Sequence, residues 1–153
     1  MITLSAQPFD AGDELKAFEA RASGAGAIVS FTGLVRDRAS DENVRILHLQ
    51  AYSPMTERGI EQAAARAEAR WPLTAIRILH RIGDMGPGEP IVFVATASAH
   101  RRDAFEAADF LMDYLKTEAV FWKKEVTDTG ERWIEPRAED YQDSARWALT
   151  GED

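Results

Sequence analysis

The chain has 153 residues, with 18 Lys and Arg against 26 Asp and Glu and a formal charge of −8. That length fits about one domain, and 45% apolar content with four Trp and seven Phe excludes a disordered chain. The acidic balance excludes a general nucleic-acid binder, and the absence of cysteine excludes disulfides, Fe–S clusters, thiolate metal sites and a cysteine nucleophile.

Residues 2–4 read as a short strand and 10–22 as a helix, with Asp10 as N-cap and Leu15, Phe18 and Ala22 on one face. Gly24-Ala25-Gly26 ends it. Residues 27–36 are β-rich and read as a strand, 37–43 as a polar loop, and 44–52 as a half-buried strand. In that last strand Val44, Ile46, His48 and Gln50 fall on one face, and Leu47, Leu49 and Ala51 on the other. Ser53 as N-cap and Pro54 at the first helical position open a helix that Trp71-Pro72 stops after about Arg70.

Residues 75–82 and 91–98 read as strands joined by a glycine-rich turn over 83–88. Gly83, Gly86 and Gly88 have neither the spacing nor the strand-then-helix context of a dinucleotide fingerprint, so a hairpin turn is expected. Residues 101–116 form an amphipathic helix through Phe105, Ala108, Met112 and Leu115, with Ser98 as its cap or as the end of the preceding strand. A strand over 120–126, a turn over 127–130, a return strand over 132–134 and a helical tail over 137–147 complete the chain. Helices alternate with pairs of strands, which predicts an α+β sandwich with a largely antiparallel sheet. A single domain over 1–153 is expected, with the tail after about 147 outside its ordered part.

Only four of the basic residues are lysines, and Lys116, Lys123 and Lys124 fall within nine positions. Lys116 ends the helix that His100 and Arg101 begin, and cations at a helix C-terminus are favourable. Lys123 and Lys124 are strand neighbours and point to opposite faces, so only one can share a pocket with Lys116. At the other end, Ser98-Ala99-His100-Arg101-Arg102 places cations at a helix start, where they oppose the helix dipole unless an anion is bound. Arg36, closing a strand before a polar loop, is placed for a phosphate or carboxylate. His48, His80 and His100 are isolated from one another, so no metal is expected, and His48 and His80 read as ordinary strand residues. The first ten residues carry no basic stretch ahead of an apolar one, and no apolar run approaches the roughly 20 residues a membrane span needs. A cytoplasmic protein without membrane contact is expected.

Several stretches together resemble the large, catalytic subunit of molybdopterin synthase. They are Phe31-Thr32-Gly33-Leu34-Val35-Arg36, His80-Arg81-Ile82-Gly83 with Pro87-Gly88-Glu89, Ser98-Ala99-His100-Arg101, Ala104-Phe105-Glu106, Met112-Asp113-Tyr114-Leu115-Lys116-Thr117, and Phe121-Trp122-Lys123-Lys124-Glu125 followed by Trp133. The likeness runs from Gln7 to about Trp147, and the ordered combination of these motifs is what makes it specific.

The resemblance implies an α/β hammerhead fold and a homodimer of large subunits flanked by two small, ubiquitin-like sulfur-carrier subunits, a heterotetramer in all. It implies that the small subunit's C-terminal Gly-Gly thiocarboxylate enters a large-subunit pocket and delivers sulfur to cyclic pyranopterin monophosphate, forming the molybdopterin dithiolene. By the same likeness, Lys116 and Lys123 are the expected catalytic residues, flanking the thiocarboxylate. Arg36, His100 and Arg101 are expected to hold the anionic substrate, and Lys124 and Glu125 to shape the pocket. Arg137 matches a further basic position, with contribution across the dimer as one arrangement. No resident cofactor is implied, and the missing cysteine fits sulfur arriving on a partner. Val120 stands where the family often has proline, and Arg102 adds a cation; neither removes a functional group.

Two rival readings use the same residues. A non-catalytic anion-binding or assembly module would be expected to have lost part of the set Arg36, His100, Arg101, Lys116 and Lys123. An unrelated acid–base enzyme could pair His100 with Asp103 at the helix start, but no nucleophile accompanies them.

Overall fold

The computed structural model describes residues 1–39 and 41–148. Its first sheet has the order β1-β5-β7-β2 and is built from β1 (Ile2–Ser5), β5 (Leu73–Arg81), β7 (Pro90–Ser98) and β2 (Ala27–Leu34). β1 runs parallel to β5, and the other two pairings are antiparallel. Both faces of this sheet are covered, which is why β5 and β7 read as nearly unbroken apolar runs. On one face, α1 (Ala11–Arg21) packs Phe18 and Ala22 against Leu79, Phe93, Ala95 and Ala97. On the other, α2 (Met55–Arg70) and α3 (Arg101–Thr117) bury Ile60, Ala63, Ala67, Ala107 and Leu111 against Ile76, Ile78, Val92 and Val94.

The α1 cap is as expected: Asp10 Oδ1 accepts from the Asp13 backbone N–H at 2.9 Å. At α2 the expectation is off by one residue. Pro54 takes the cap position and makes no side-chain cap bond, while Ser53 Oγ donates to Glu57 Oε2. Thr56 Oγ1, buried, accepts from the Tyr52 backbone N–H and donates to the Val120 carbonyl, and so anchors the helix start. Ser98 ends β7 and does not cap α3; its hydroxyl donates to the Pro72 carbonyl at 2.9 Å. Phe105 is not on the packed face of α3: it is 58% exposed, and Ala104, Ala107, Ala108, Leu111 and Leu115 form the buried stripe. The stripe is centred on small residues that let the helix lie close to the sheet, and Phe105 falls on its flank.

The second sheet follows the path β3-β4-β8-β9, from β3 (Arg38–Ala39), β4 (Glu42–Ala51), β8 (Phe121–Thr127) and β9 (Gly130–Ile134), with β6 (Gly83–Met85) paired to β4. Two segments expected as a loop and a turn therefore contain strands. Within 37–43, β3 folds back on β4 because Ala39 buries against the cluster of Val35, Val44, Leu47, Leu49 and Met85. Within 83–88, β6 adds to β4, and Gly83, at φ +89°, sits where the chain leaves β5 and enters the other sheet. The β4 alternation is also broken. An irregular register between Val44 and Ile46 puts Val44 on the buried side with Leu47 and Leu49, while Ile46 is exposed.

α4 (Ala138–Ala145) closes the described chain, tied to α3 where Arg146 Nη2 and Trp147 Nε1 donate to Asp113 Oδ2 at 2.9 and 2.6 Å. The expected end of order past about residue 147 falls almost wholly outside the described residues. The architecture is the α+β arrangement with largely antiparallel sheets that the element order implies. No described helix is long and apolar enough to cross a membrane.

Candidate active site

The two sheets meet along a cavity of about 560 Å³. The first sheet contributes Phe31 to Leu34 of β2, His80 of β5, and Ile91 and Val92 of β7. From the second come Leu47 and Leu49 of β4, Phe121, Lys123 and Glu125 of β8, and Ile134 of β9. The C-terminal turn of α3 adds Met112, Leu115, Lys116 and Thr117, and the start of α4 adds Arg137, Asp140 and Tyr141. Arg36, just past β2, completes the wall.

Four of the expected cations, Arg36, Lys116, Lys123 and Arg137, thus line one cavity although they come from four separated segments. Alternation along β8 separates the two neighbouring lysines as expected. Lys123 faces the cavity, and Lys124 points to the other face, where its ammonium lies 3.6 Å from Glu131 and 5.6 Å from the centre of the Trp133 ring. Lys124 therefore does not line the cavity. Glu125 does, but its carboxylate is held by Arg132, whose Nε donates to Oε1 at 3.2 Å while Nη2 donates to the Ala39 carbonyl. Its place is in the joint between β3, β8 and β9.

Electrostatics set Lys123 apart. Burial, helped by the nearby Lys116 charge and opposed by Asp140, lowers its pKa to about 8. Burial of the Asp140 carboxyl works to raise its pKa. Hydrogen bonds from the Arg137 backbone and guanidinium, with Lys116 nearby, outweigh that and hold it below its ordinary value. Asp140 also closes the N-terminus of α4, accepting from the Arg137 backbone N–H at 2.9 Å. The cavity thus combines a basic wall, one amine that is partly unprotonated near neutral pH, and two buried carboxylates, Glu125 on β8 and Asp140 on α4.

Arg101 lies in a neighbouring cavity of about 600 Å³ with Arg102, Phe105 and Val29, and this cavity shares Phe31 and Met112 with the first. His100 is the exposed N-cap residue of α3, makes no side-chain cap bond, and lines neither cavity. The residues expected to bind an anion are therefore split within one chain: Arg36 on one side of Phe31 and Met112, Arg101 on the other.

Two lining residues escaped the sequence reading. His80 is a strand residue of β5, as expected, and its ring is buried in the cavity wall. Asp140 was overlooked, although an acid three residues after Arg137 at a helix start is a capping pattern. Among the described residues no group of three or more His, Cys, Asp or Glu could hold a metal ion.

A layered α+β fold with a lysine pair in a cationic cleft between its sheets has the charge and shape of a site for anions. The model of the MoaE protein family matches residues 4–118, and the chain belongs to this family, that of the molybdopterin synthase catalytic subunit. It is 52% identical over 139 residues to the molybdopterin synthase catalytic subunit of Pseudomonas aeruginosa, covering 91% of this chain and 93% of that one. Among solved structures, the molybdopterin biosynthesis MoaE protein from Burkholderia ambifaria superposes with a TM-score of 0.81 at 44% identity, covering 97% of each chain. A complex of subunits 1 and 2 of molybdopterin-converting factor from Helicobacter pylori shares the fold, with a TM-score of 0.75 at 22% identity over 89% of this chain and 91% of that one.

Proposed function

We propose that this catalytic subunit acts as a sulfurtransferase. It takes sulfur from the thiocarboxylated C-terminus of a small ubiquitin-like subunit and passes it to cyclic pyranopterin monophosphate. The observation that carries the reading is the convergence of Arg36, Lys116, Lys123 and Arg137 on one cavity in an acidic chain. Both proposed reactants are anions, and a cleft with low-dielectric walls strengthens cationic contacts to them.

In this reading one thiocarboxylate sulfur displaces the cyclic phosphate oxygen from its side-chain carbon, so that a carbon–sulfur bond forms as a carbon–oxygen bond breaks, leaving a phosphate monoester and an acyl thioester to the small subunit. Water then cleaves the acyl–sulfur bond, which leaves the sulfur on the pterin and a carboxylate on the small subunit. A second thiocarboxylate adds to the neighbouring carbonyl carbon, whose oxygen leaves as water, and hydrolysis of its thioester leaves the second sulfur beside the first as the dithiolene. Lys116 offsets the charge of the entering thiocarboxylate. Lys123, partly unprotonated near its pKa of about 8, is placed to take a proton from the attacking water. Arg36 and Arg137 hold the phosphate, and Arg101, with His100 at the same helix start, extends the anion-binding surface beyond Phe31 and Met112. The working form is a homodimer with two small subunits, in the cytoplasm.

Reconstitution tests this. The purified chain, mixed with a thiocarboxylated small subunit and cyclic pyranopterin monophosphate, is expected to give a dithiolene product, and none with the carboxylate form of the small subunit. A correctly folded chain that binds the small subunit yet yields no dithiolene would overturn the reading.

A further inference from the structure

His80 sits at the end of β5, where the chain is about to leave the first sheet for the second. It is 4% exposed. One ring nitrogen, Nδ1, lies 2.9 Å from the Arg81 carbonyl, so it carries the proton and donates it there. The ring is stacked on Phe121 of β8, with centroids 4.3 Å apart and planes 22° apart. Phe121 and Lys123 are two residues apart on β8 and share a face. The stack therefore joins the two sheets directly beside the Lys123 side chain, and it forms part of the same cavity wall.

We propose that His80 is a positioning residue for Lys123: clamped between the Arg81 carbonyl and the Phe121 ring, its imidazole fixes β8 against β5 and closes the wall behind the Lys123 amine. The charged groups that line the same cavity besides Lys123 are Arg36 after β2, Lys116 on α3, Glu125 on β8, Glu135 after β9, and Arg137 and Asp140 at α4, with the titratable Tyr141 beside them. In that company a protonated imidazole would add another cation, and the site keeps it neutral. Burial, against the Arg81 hydrogen bond and helped by Lys123 and Lys116, lowers the His80 pKa to about 4. A neutral ring excludes water without adding charge, which is what desolvation of the neighbouring amine requires.

The four lysines make the test direct. In the full chain carrying isotope-labelled lysine, the resonance lost in Lys123→Arg is expected to titrate near pH 8. In His80→Ala, water reaches the amine, and the midpoint is expected to rise by about one unit or more. Should that variant not fold, His80→Gln, which keeps polarity and approximate volume but no ring, is expected to shift the same way. His80→Phe keeps the stack and should hold the midpoint within about half a unit of the parent. An unmoved midpoint in folded His80→Ala or His80→Gln, or an equal shift in His80→Phe, would overturn the proposal. Its consequence for turnover rests on the sulfur-transfer reading: the ascending limb of the rate profile, along which Lys123 loses its proton, should move with the midpoint. A shifted midpoint in a chain whose parent makes no dithiolene would refute that reading and leave the positioning role standing.

Discussion

The two sheets are made of similar residues and are used in opposite ways. The β1-β5-β7-β2 sheet is sealed on both faces by helices, and its central strands carry buried Ile78, Val94, Ala95 and Ala97. The sheet of β4, β8 and β9 has one face turned to the cavity. The other face is open, with Trp122 and Trp133 52% and 57% exposed and their rings packed edge to face at 5.5 Å. One sheet holds the molecule together and the other presents chemistry. The residues that matter most lie where the two meet, because there one strand can place Lys123 while its neighbour in the other sheet supplies a rigid wall.

Substitutions can break this contrast, starting with the sealed sheet. Phe18→Ala empties a fully buried site between α1 and the first sheet and is expected to cost about 3–5 kcal/mol, read as a lower urea midpoint. The seam between the sheets should respond to acid. His80 binds a proton in the unfolded chain at its ordinary value of 6.5 but in the folded chain only near 4, so the unfolded form holds more protons between these values. Stability contributed by the neutral ring is therefore complete above pH 6.5 and is lost as the pH falls toward 4, by roughly 3 kcal/mol at most. The urea midpoint of the parent should therefore fall relative to that of His80→Phe as the pH is lowered across that window. Removing the α1 cap with Asp10→Ala should cost about 1 kcal/mol in the same assay. Trp122→Ala, on the open face, should cost under about 1 kcal/mol, the share of its ring contacts with Trp133 and Tyr52.

The same contrast explains what could be read in the sequence. The sealed sheet and its helices were legible because burial leaves periodic marks: Phe18 and Ala22 on α1, the apolar run of β7, and Ala108 and Leu115 on α3, although Phe105 was read onto the packed face and lies off it. The second sheet was less so. β3 and β6 are two- and three-residue strands that exist only because β4 offers them an edge, and the irregularity near Arg45 reverses the side of Val44 without any local signal. At the site, the motifs marked Arg36, Lys116 and Lys123, and strand alternation already allowed only one of Lys123 and Lys124 to share a pocket with Lys116. His80 was missed because a histidine in an apolar strand looks the same whether it faces a helix or a cavity. Asp140 was missed because its role depends on α4 folding back over the end of α3.

Turnover and assembly measured on the same Lys116→Ala sample test the central claim most directly. The account predicts that the variant binds the small subunit within a few-fold of the parent while dithiolene formation falls by about 100-fold or more, the loss typical of removing a group aimed at transition-state charge. Dithiolene formation at the parent rate would contradict it.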